Sequence, residues 1–189
     1  MVKNFILASQ SPQRKILLSQ IGFEPYKIEP ADIDETPEKG EKPSQYVERM
    51  AKEKALFVAN KNKGEVVLAL DTVIVCGTTI IQKSKTDKEQ EKVMKMLSGK
   101  THRVLTSVCV VGKDGKAVVR LNTTKIKMKK LTETEIKEYI LSKEWCGCAG
   151  YKIEGKLAGY VKQMIGSYSG VVGLPLFETR NLLIGAGVY

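Results

Sequence analysis

The stretch VVLALDTVIVC, residues 66–76, places a single carboxylate inside a run of apolar residues. Val, Leu and Ile flank Asp71 on both sides, which is typical of a strand that is buried on both faces. We expect one or two strands here, interrupted at Asp71. A carboxylate in such surroundings loses its hydration unless a cation or hydrogen bonds replace the water. Asp71 is therefore either the cap of a turn at a strand end, or a general base or metal ligand that faces a cleft.

Strands and helices alternate on both sides of this stretch. The hairpin turn GKDGK, residues 112–116, joins two of the predicted strands, so neighbouring strands include antiparallel pairs. This order favours the α/β class with a mixed β-sheet, and we predict one domain, residues 1–189. The predicted strands cover residues 5–8, 23–30, 66–76, 78–83, 102–111, 117–131 and 159–176, and the predicted helices cover residues 12–22, 43–60, 86–97, 132–142 and 175–185.

Composition limits the classes of partner and compartment. The formal net charge is +10 over 189 residues, which suits nucleic acid, an anionic membrane surface or a polyanionic small molecule such as a nucleotide. The lysines are spread along the chain, so they also suit solvated faces of helices and strands. No run of about 18 apolar residues is present, which argues against a membrane span. Four cysteines without a C-x-x-C pair and a single histidine argue against a His-based metal site and predict reduced thiols in a cytoplasmic protein.

The turn between the first strand and the first helix carries more polar groups than a helix start needs. Ser9, Ser11 and Arg14 surround Pro12 in the sequence SQSPQR. Ser11 and Pro12 suit the cap and the first position of an ordinary helix. Alternatively, two hydroxyls, a guanidinium and the backbone N–H groups of a helix start form a receptor for a triphosphate.

Three further charged residues also have two interpretations. Lys54 lies on the same helical face as Val47 and Met50, so it either extends to solvent past that face or points at phosphates in a cleft. Lys83, after the apolar run TTII, is either a surface lysine or a second phosphate contact. Glu35, in the acidic loop DIDET, is either solvated or joins Asp71 in holding a hard cation such as Mg²⁺.

Taken together, these residues suit metal-assisted attack of water on a phosphate chain. The chain lacks a Walker-type loop ending in GK[ST], which argues against a P-loop nucleotidase. The alternative is a basic nucleic-acid-binding protein, or a regulatory protein of cell division that retains the cleft without turnover. Against that alternative, aromatic residues do not interleave with the basic ones and no nucleic-acid-binding motif is present.

At the level of whole motifs, the sequence resembles the Maf-like nucleoside triphosphate pyrophosphatases. The resemblance runs from Ile6 to about Leu183. The matching stretches, in order, are LASQSPQRKILL, DIDE, AKEKA, LALDTVIV, LSGKTHRVLTSV, EWCGCAG and GSYSGVVGLPLFET. The resemblance implies hydrolysis of a nucleoside triphosphate to the monophosphate and pyrophosphate with a divalent cation, Mg²⁺ or Mn²⁺. It also implies an elongated mixed α/β fold with two lobes around a central cleft, a homodimer and a cytoplasmic location, with no nucleic acid or membrane as partner.

The resemblance also assigns roles. It implies that Asp71 is the proton acceptor and that Thr72 contributes to base selection. The full set of candidates is catalytic Asp71, Lys54 and Lys83; substrate-binding Ser9, Ser11, Gln13, Arg14, Thr72 and Glu154; and metal-binding Glu35 and Asp71.

Two residues depart from the pyrimidine-selective branch of the family. Gln13 stands where that branch has an arginine, and Glu154 stands where it has a glutamine. Thr72 follows the pyrimidine branch, so the chain combines features of two branches. A carboxylate only accepts hydrogen bonds, whereas an amide also donates, so the preferred base, pyrimidine or modified, stays open.

Overall fold

The computed structural model describes residues 4–189. Within this range the chain forms six α-helices, one short 3₁₀-helix and seven strands in a single sheet. The strands are β1 (Ile6–Leu7), β2 (Lys27–Ile28), β3 (Val67–Cys76), β4 (Thr79–Ile81), β5 (Thr101–Val111), β6 (Ala117–Met128) and β7 (Val161–Ile165). The helices are α1 (Pro12–Gln20), α2 (Pro43–Lys61), α3 (Asp87–Leu97), α4 (Glu133–Ser142), the 3₁₀-helix (Lys156–Tyr160), α5 (Tyr168–Val172) and α6 (Leu176–Gly185).

The sheet is mixed, as predicted. Its strand order is β2-β1-β3-β5-β6-β7, and β4 pairs with β3 outside this path. The short strands β1 and β2 are parallel to each other, and β1 is parallel to β3. The remaining pairs are antiparallel. The long strands β3, β5 and β6 therefore form the body of the molecule, and the short strands border it.

Strand β3 runs without interruption through Asp71, so the expectation of a break there is wrong. Asp71 pairs with Ser107 of β5, and the register continues on both sides of it. The β-branched residues Val73, Ile74 and Val75 favour the extended backbone on one side. A strand therefore accommodates this carboxylate because the cost of burying it is met by side-chain partners and not by a change in the backbone.

One edge of β3 has a gap. On this edge β1 pairs with Val67 and Leu68, and β4 pairs with Ile74, Val75 and Cys76. Among the described strands, none pairs with residues 69–73 on this edge. Because β5 covers the opposite edge throughout, the gap is the place where a ligand can approach Asp71 in the middle of the sheet.

The buried core has separate parts on the two sides of this gap. On one side, α1 and α6 pack Leu18 and Leu183 against Leu68 and Val108, while α2 packs on the other face of the sheet through Ala51, Ala55 and Val58. On the far side, residues of α3 and α4 pack against the other ends of β3, β5 and β6; this group includes Met94, Leu97, Val104, Ile126 and Tyr139. These two parts correspond to the predicted two lobes, and α2 also packs Val47 and Met50 against Val73 and Val75 at and beyond the gap.

Three local predictions need correction. The segment 159–176 was expected to end the sheet as a strand, but only Val161–Ile165 is extended, and Tyr168–Val172 forms the short helix α5. The Ser167 hydroxyl caps α5 by accepting from the N–H of Gly170. The segment 23–30 contributes only Lys27–Ile28 as a strand, at the sheet edge. Ser11 lies at the N-cap of α1, but within the described chain its side chain makes no capping hydrogen bond.

Candidate active site

Asp71 lies in the middle of β3 and is only 8% exposed. The Lys54 ammonium, which extends from α2, lies 2.7 Å from Asp71 Oδ1 and 2.9 Å from Glu35 Oε1. The helix places Lys54 here because Met50, Ala51 and Ala55 bury the same side of α2 against the sheet. One ammonium therefore holds two carboxylates from separate segments, and the site brings together the three charged residues Lys54, Glu35 and Asp71 as the sequence suggested.

The acidic loop that carries Glu35 is anchored to α2. The Tyr46 hydroxyl donates to the carbonyl oxygen of Glu35 at 2.9 Å. The Arg49 guanidinium donates to both carboxylate oxygens of Glu41 at 2.7 Å and to the Thr36 carbonyl at 3.2 Å. Glu35 itself keeps a half-exposed side chain, so its backbone is fixed while its carboxylate remains accessible. Sequence analysis did not identify Tyr46 and Arg49, although both lie on the helix that carries Lys54.

The turn after β1 holds a preoriented guanidinium. Arg14 donates through Nη1 to Ser9 Oγ at 2.8 Å and through Nε to the carbonyl oxygen of Gly173 at 3.0 Å. Ser9 Oγ also accepts from the backbone N–H of Ser11 at 3.3 Å. Ser9 thus organises the turn that Ser11 was expected to cap. Since a guanidinium has five N–H groups, Arg14 retains donors for a bound anion.

The electrostatics couple Arg14 to the carboxylates. Burial raises the pKa of Asp71, and Glu35 adds to this rise, while Lys54 and Arg14 oppose it. Burial lowers the pKa of Arg14, and Asp71 and Glu35 oppose that change. Asp71 is therefore a stronger base than an exposed aspartate, and nearby cations favour its ionised form.

Thr72 lies beside this group on the other face of β3. Its hydroxyl lies 3.0 Å from the Thr106 hydroxyl of β5. A Cβ atom on Gly173 would lie 3.5 Å from both Thr72 Oγ1 and Arg14 Nε. Gly173, with φ of 115°, therefore adopts a conformation that other residues disfavour, next to two candidate substrate contacts. Sequence reasoning missed Thr106 and Gly173, because their roles depend on strand register and on a turn that were not predicted.

Other candidates lie elsewhere. Lys83 follows β4 in the far lobe, where its backbone bridges to Ala149, and it is exposed. Glu154 is exposed on the segment before the 3₁₀-helix. Burial raises the pKa of the Cys148 thiol, the charge of Glu154 adds to this rise, and the charge of Lys83 opposes it. Gln13 is half-buried in the first turn of α1, beside Arg14. Lys83 and Glu154 thus belong to the opposite side of the gap from Arg14, and their roles stay predictions.

Two carboxylates suit a divalent cation that is also bound by substrate. In residues 4–189, no group of three or more His, Cys, Asp or Glu side chains is arranged to hold a metal ion. Mg²⁺ commonly binds through one or two carboxylates together with substrate phosphates. Glu35 and Asp71, whose oxygens contact one ammonium, fit that chemistry.

None of the helices formed by residues 4–189 has the length and apolar character needed to cross a membrane.

Comparison with known proteins identifies the family of the chain. The family described as "Maf-like protein" matches residues 4–186. A dTTP/UTP pyrophosphatase of Zymomonas mobilis is 45% identical over 99% of this chain and 93% of its own length. A dTTP/UTP pyrophosphatase of Sphingopyxis alaskensis is 47% identical over 97% of this chain and 96% of its own length.

A solved structure supports the fold. The HAM1 protein from Coxiella burnetii has a TM-score of 0.56 at 15% identity, covering 97% of this chain and 99% of that one. At this identity the likeness concerns the fold alone. The family match over nearly the whole chain, together with relatives at about 45% identity, shows that the chain belongs to the Maf-like protein family.

Proposed function

We propose that the chain hydrolyses nucleoside triphosphates, including dTTP and UTP, to the nucleoside monophosphate and pyrophosphate. The observation that carries this proposal is the buried carboxylate of Asp71, held 2.7 Å from the Lys54 ammonium at a gap in the sheet. The names of the relatives at about 45% identity support the same reaction.

In this mechanism Asp71 accepts a proton from the attacking water. The best general base has a pKa near the working pH, and burial moves the pKa of Asp71 upward in that direction. Lys54 limits the rise and keeps the carboxylate ionised before the reaction. The Lys54 side chain is only 12% exposed, so its ammonium stays inside the site. In this mechanism the ammonium lies next to the reacting phosphate.

Arg14 and Ser9 bind the phosphate chain. The two hydrogen bonds to Ser9 and Gly173 hold the guanidinium in one orientation, so little conformational entropy is lost when an anion binds. Charge-assisted contacts from arginine to phosphate oxygens are among the stronger hydrogen bonds in proteins. Lys83 approaches from the opposite lobe in this proposal.

Glu35 and Asp71 would hold a divalent cation, Mg²⁺ or Mn²⁺, together with the bound nucleotide. The positive charges of Arg14 and Lys54 cancel the negative charges of Glu35 and Asp71. These four groups therefore do not neutralise the negative charge that a triphosphate brings to the site. A bound cation supplies charge neutralisation on the phosphate oxygens and polarises them. The homodimer and the cytoplasmic location implied by the resemblance stay predictions.

The test is a product analysis with several triphosphates. The protein is incubated with dTTP, UTP, CTP, GTP and modified triphosphates in the presence of Mg²⁺ or Mn²⁺, and the products are identified by ³¹P NMR. We expect nucleoside monophosphate and pyrophosphate in equal amounts. Formation of nucleoside diphosphate and orthophosphate, or no product from any triphosphate, would contradict the proposal.

A further inference from the structure

The acidic loop between β2 and α2, residues 29–42, forms no helix or strand of its own, yet it carries Glu35 into the candidate site. The Glu35 side chain is 52% exposed, so packing around that side chain does not fix it. The position of its carboxylate therefore depends on how the backbone of the loop is held. In a loop of this length without secondary structure, the support has to come from neighbouring elements.

Helix α2 supplies this support from one face. Tyr46, Met50 and Lys54 follow one another at intervals of four residues, so they lie on the same side of the helix. The Tyr46 hydroxyl lies 2.9 Å from the carbonyl oxygen of Glu35, and it is the donor because a carbonyl has no hydrogen to give. The Lys54 ammonium contacts the carboxylate of the same Glu35. Tyr46 thus holds the backbone of the residue whose carboxylate Lys54 contacts.

The Tyr46 ring gives its hydroxyl a fixed place relative to Asp71. Tyr46 is only 7% exposed and belongs to the same buried cluster as Val73 and Val75 of β3, the strand that carries Asp71. Ile33 of the acidic loop packs against that cluster. Because buried side chains are closely packed in defined rotamers, Tyr46 sets the spacing between the loop and the strand.

Arg49, one turn further along α2, holds the second half of the loop independently of Tyr46. Its guanidinium binds both carboxylate oxygens of Glu41 and the carbonyl oxygen of Thr36, and Glu41 also accepts from the N–H of Glu38 at 3.0 Å. The Glu41 side chain is only 7% exposed, so it anchors the loop. Loss of the Tyr46 hydroxyl alone would therefore leave the loop attached to α2.

We propose that Tyr46 is a positioning residue whose hydroxyl places Glu35 for holding a divalent cation together with Asp71 and the substrate phosphates. This inference rests on the proposed function. Glu35 and Asp71 come from separate segments, so binding is favoured when their spacing is set before the ligand arrives. Groups that orient a metal ligand commonly change metal affinity about ten- to one-hundredfold.

Calorimetry with a non-hydrolysable analogue tests the inference. The α,β-methylene analogue of UTP is titrated into the wild type, Tyr46→Phe, Glu35→Gln and the double variant, with excess Mn²⁺ and again with EDTA. Phenylalanine keeps the buried ring and removes only the hydroxyl. Tyr26→Phe, which removes a hydroxyl from an exposed tyrosine, is the matched control.

We expect Mn²⁺ to tighten binding of the analogue to the wild type, and Tyr46→Phe to weaken binding about tenfold in Mn²⁺ and less than about twofold in EDTA. Tyr26→Phe should match the wild type in both. Because Tyr46 acts through Glu35, the double variant should bind in Mn²⁺ within about twofold of Glu35→Gln alone.

Four results would overturn the inference. They are a wild type that gains no affinity from Mn²⁺, a Tyr46→Phe protein that keeps the wild-type Kd in Mn²⁺, an equal loss in EDTA, and a double variant in which the two losses add in full. The equal loss in EDTA would show that the hydroxyl serves the structure of the site and not the cation.

This experiment separates the inference from the proposed function. Analogue binding needs no turnover, so a loss in Tyr46→Phe that depends on Mn²⁺, without pyrophosphate release from natural triphosphates, would contradict the proposed reaction alone. Pyrophosphate release by a wild type whose affinity gain from Mn²⁺ is unchanged in Tyr46→Phe would contradict the inference alone.

Discussion

Replacing His102 with glutamine should remove much of the acid sensitivity of folding. The His102 ring is 1% exposed in β5, and its Nε2 lies 2.6 Å from the Tyr151 hydroxyl oxygen. Its Nδ1 is buried and has no hydrogen-bond partner within residues 4–189. A proton added to this ring would place a charge in the core of the far lobe. Burial accordingly lowers the pKa of His102 to about 4.

The magnitude follows from the difference in pKa between the two states. An exposed histidine has a pKa of about 6.5, so the unfolded chain binds this proton before the folded chain does. The contribution of neutral His102 to stability is complete above pH 6.5 and is lost as the pH falls through the pKa of the folded state, about 4. At about 1.4 kcal/mol per pKa unit, the loss is about 3 kcal/mol. For a chain of this size it corresponds to a fall in Tm of about 6–12 °C.

The assay is urea unfolding followed by circular dichroism from pH 7 to pH 4, on the wild type and His102→Gln. The glutamine amide can reach the position of Nε2 and bond to Tyr151, but it does not titrate. Carboxylates are common to both proteins and cancel in the difference. We expect the free energy of unfolding of the wild type to fall by about 3 kcal/mol relative to the variant. Equal pH dependence in the two proteins, or an imidazole signal that titrates near pH 6.5 in the folded protein, would refute the reasoning.

Three further predictions concern the site. Lys54→Met removes a cation that lowers the pKa of Asp71, so the acidic limb of the pH profile of kcat/KM should move to higher pH. Lys52→Met, a change at an exposed position of the same helix, should leave the acidic limb in place. An unchanged limb in Lys54→Met would argue against Asp71 as the base. Gly173→Ala forces a residue with a side chain into φ of 115° and should cost about 1–3 kcal/mol in urea unfolding, whereas Gly185→Ala, with open space around its Cβ position, should not destabilise. EDTA should abolish pyrophosphate release and added Mg²⁺ or Mn²⁺ should restore it; full activity in EDTA would exclude the proposed cation.

Those parts of the site that depend on a single segment of the chain could be predicted from the sequence. A carboxylate inside an apolar strand indicated Asp71, and helical spacing indicated that Lys54 lies on the buried side of α2. Both were found together in the structure, with Glu35 as the third member. These residues are recognisable because a buried charge has a cost that must be met wherever the strand lies.

The rest depended on contacts between distant segments. The pairing of Thr72 with Thr106 depends on the register of β3 and β5, which neither strand specifies alone. The apolar content of residues 159–176 suits either a strand or a helix over a short length, and the Ser167 cap favours a helix for part of it. Lys83 could not be placed relative to Asp71, because that depends on the separation of the two lobes.

The most direct test of the proposed mechanism is the steady-state rate of pyrophosphate release from UTP by Asp71→Asn. Asn has nearly the same shape but cannot accept the proton, and Asp114→Asn, which changes an exposed carboxylate in the β5–β6 turn, is the matched control. We predict that kcat falls about 10²- to 10⁴-fold in Asp71→Asn and stays at the wild-type value in Asp114→Asn. A folded Asp71→Asn protein that retains kcat within about threefold of the wild type would contradict the account, because its proton acceptor would then lie elsewhere.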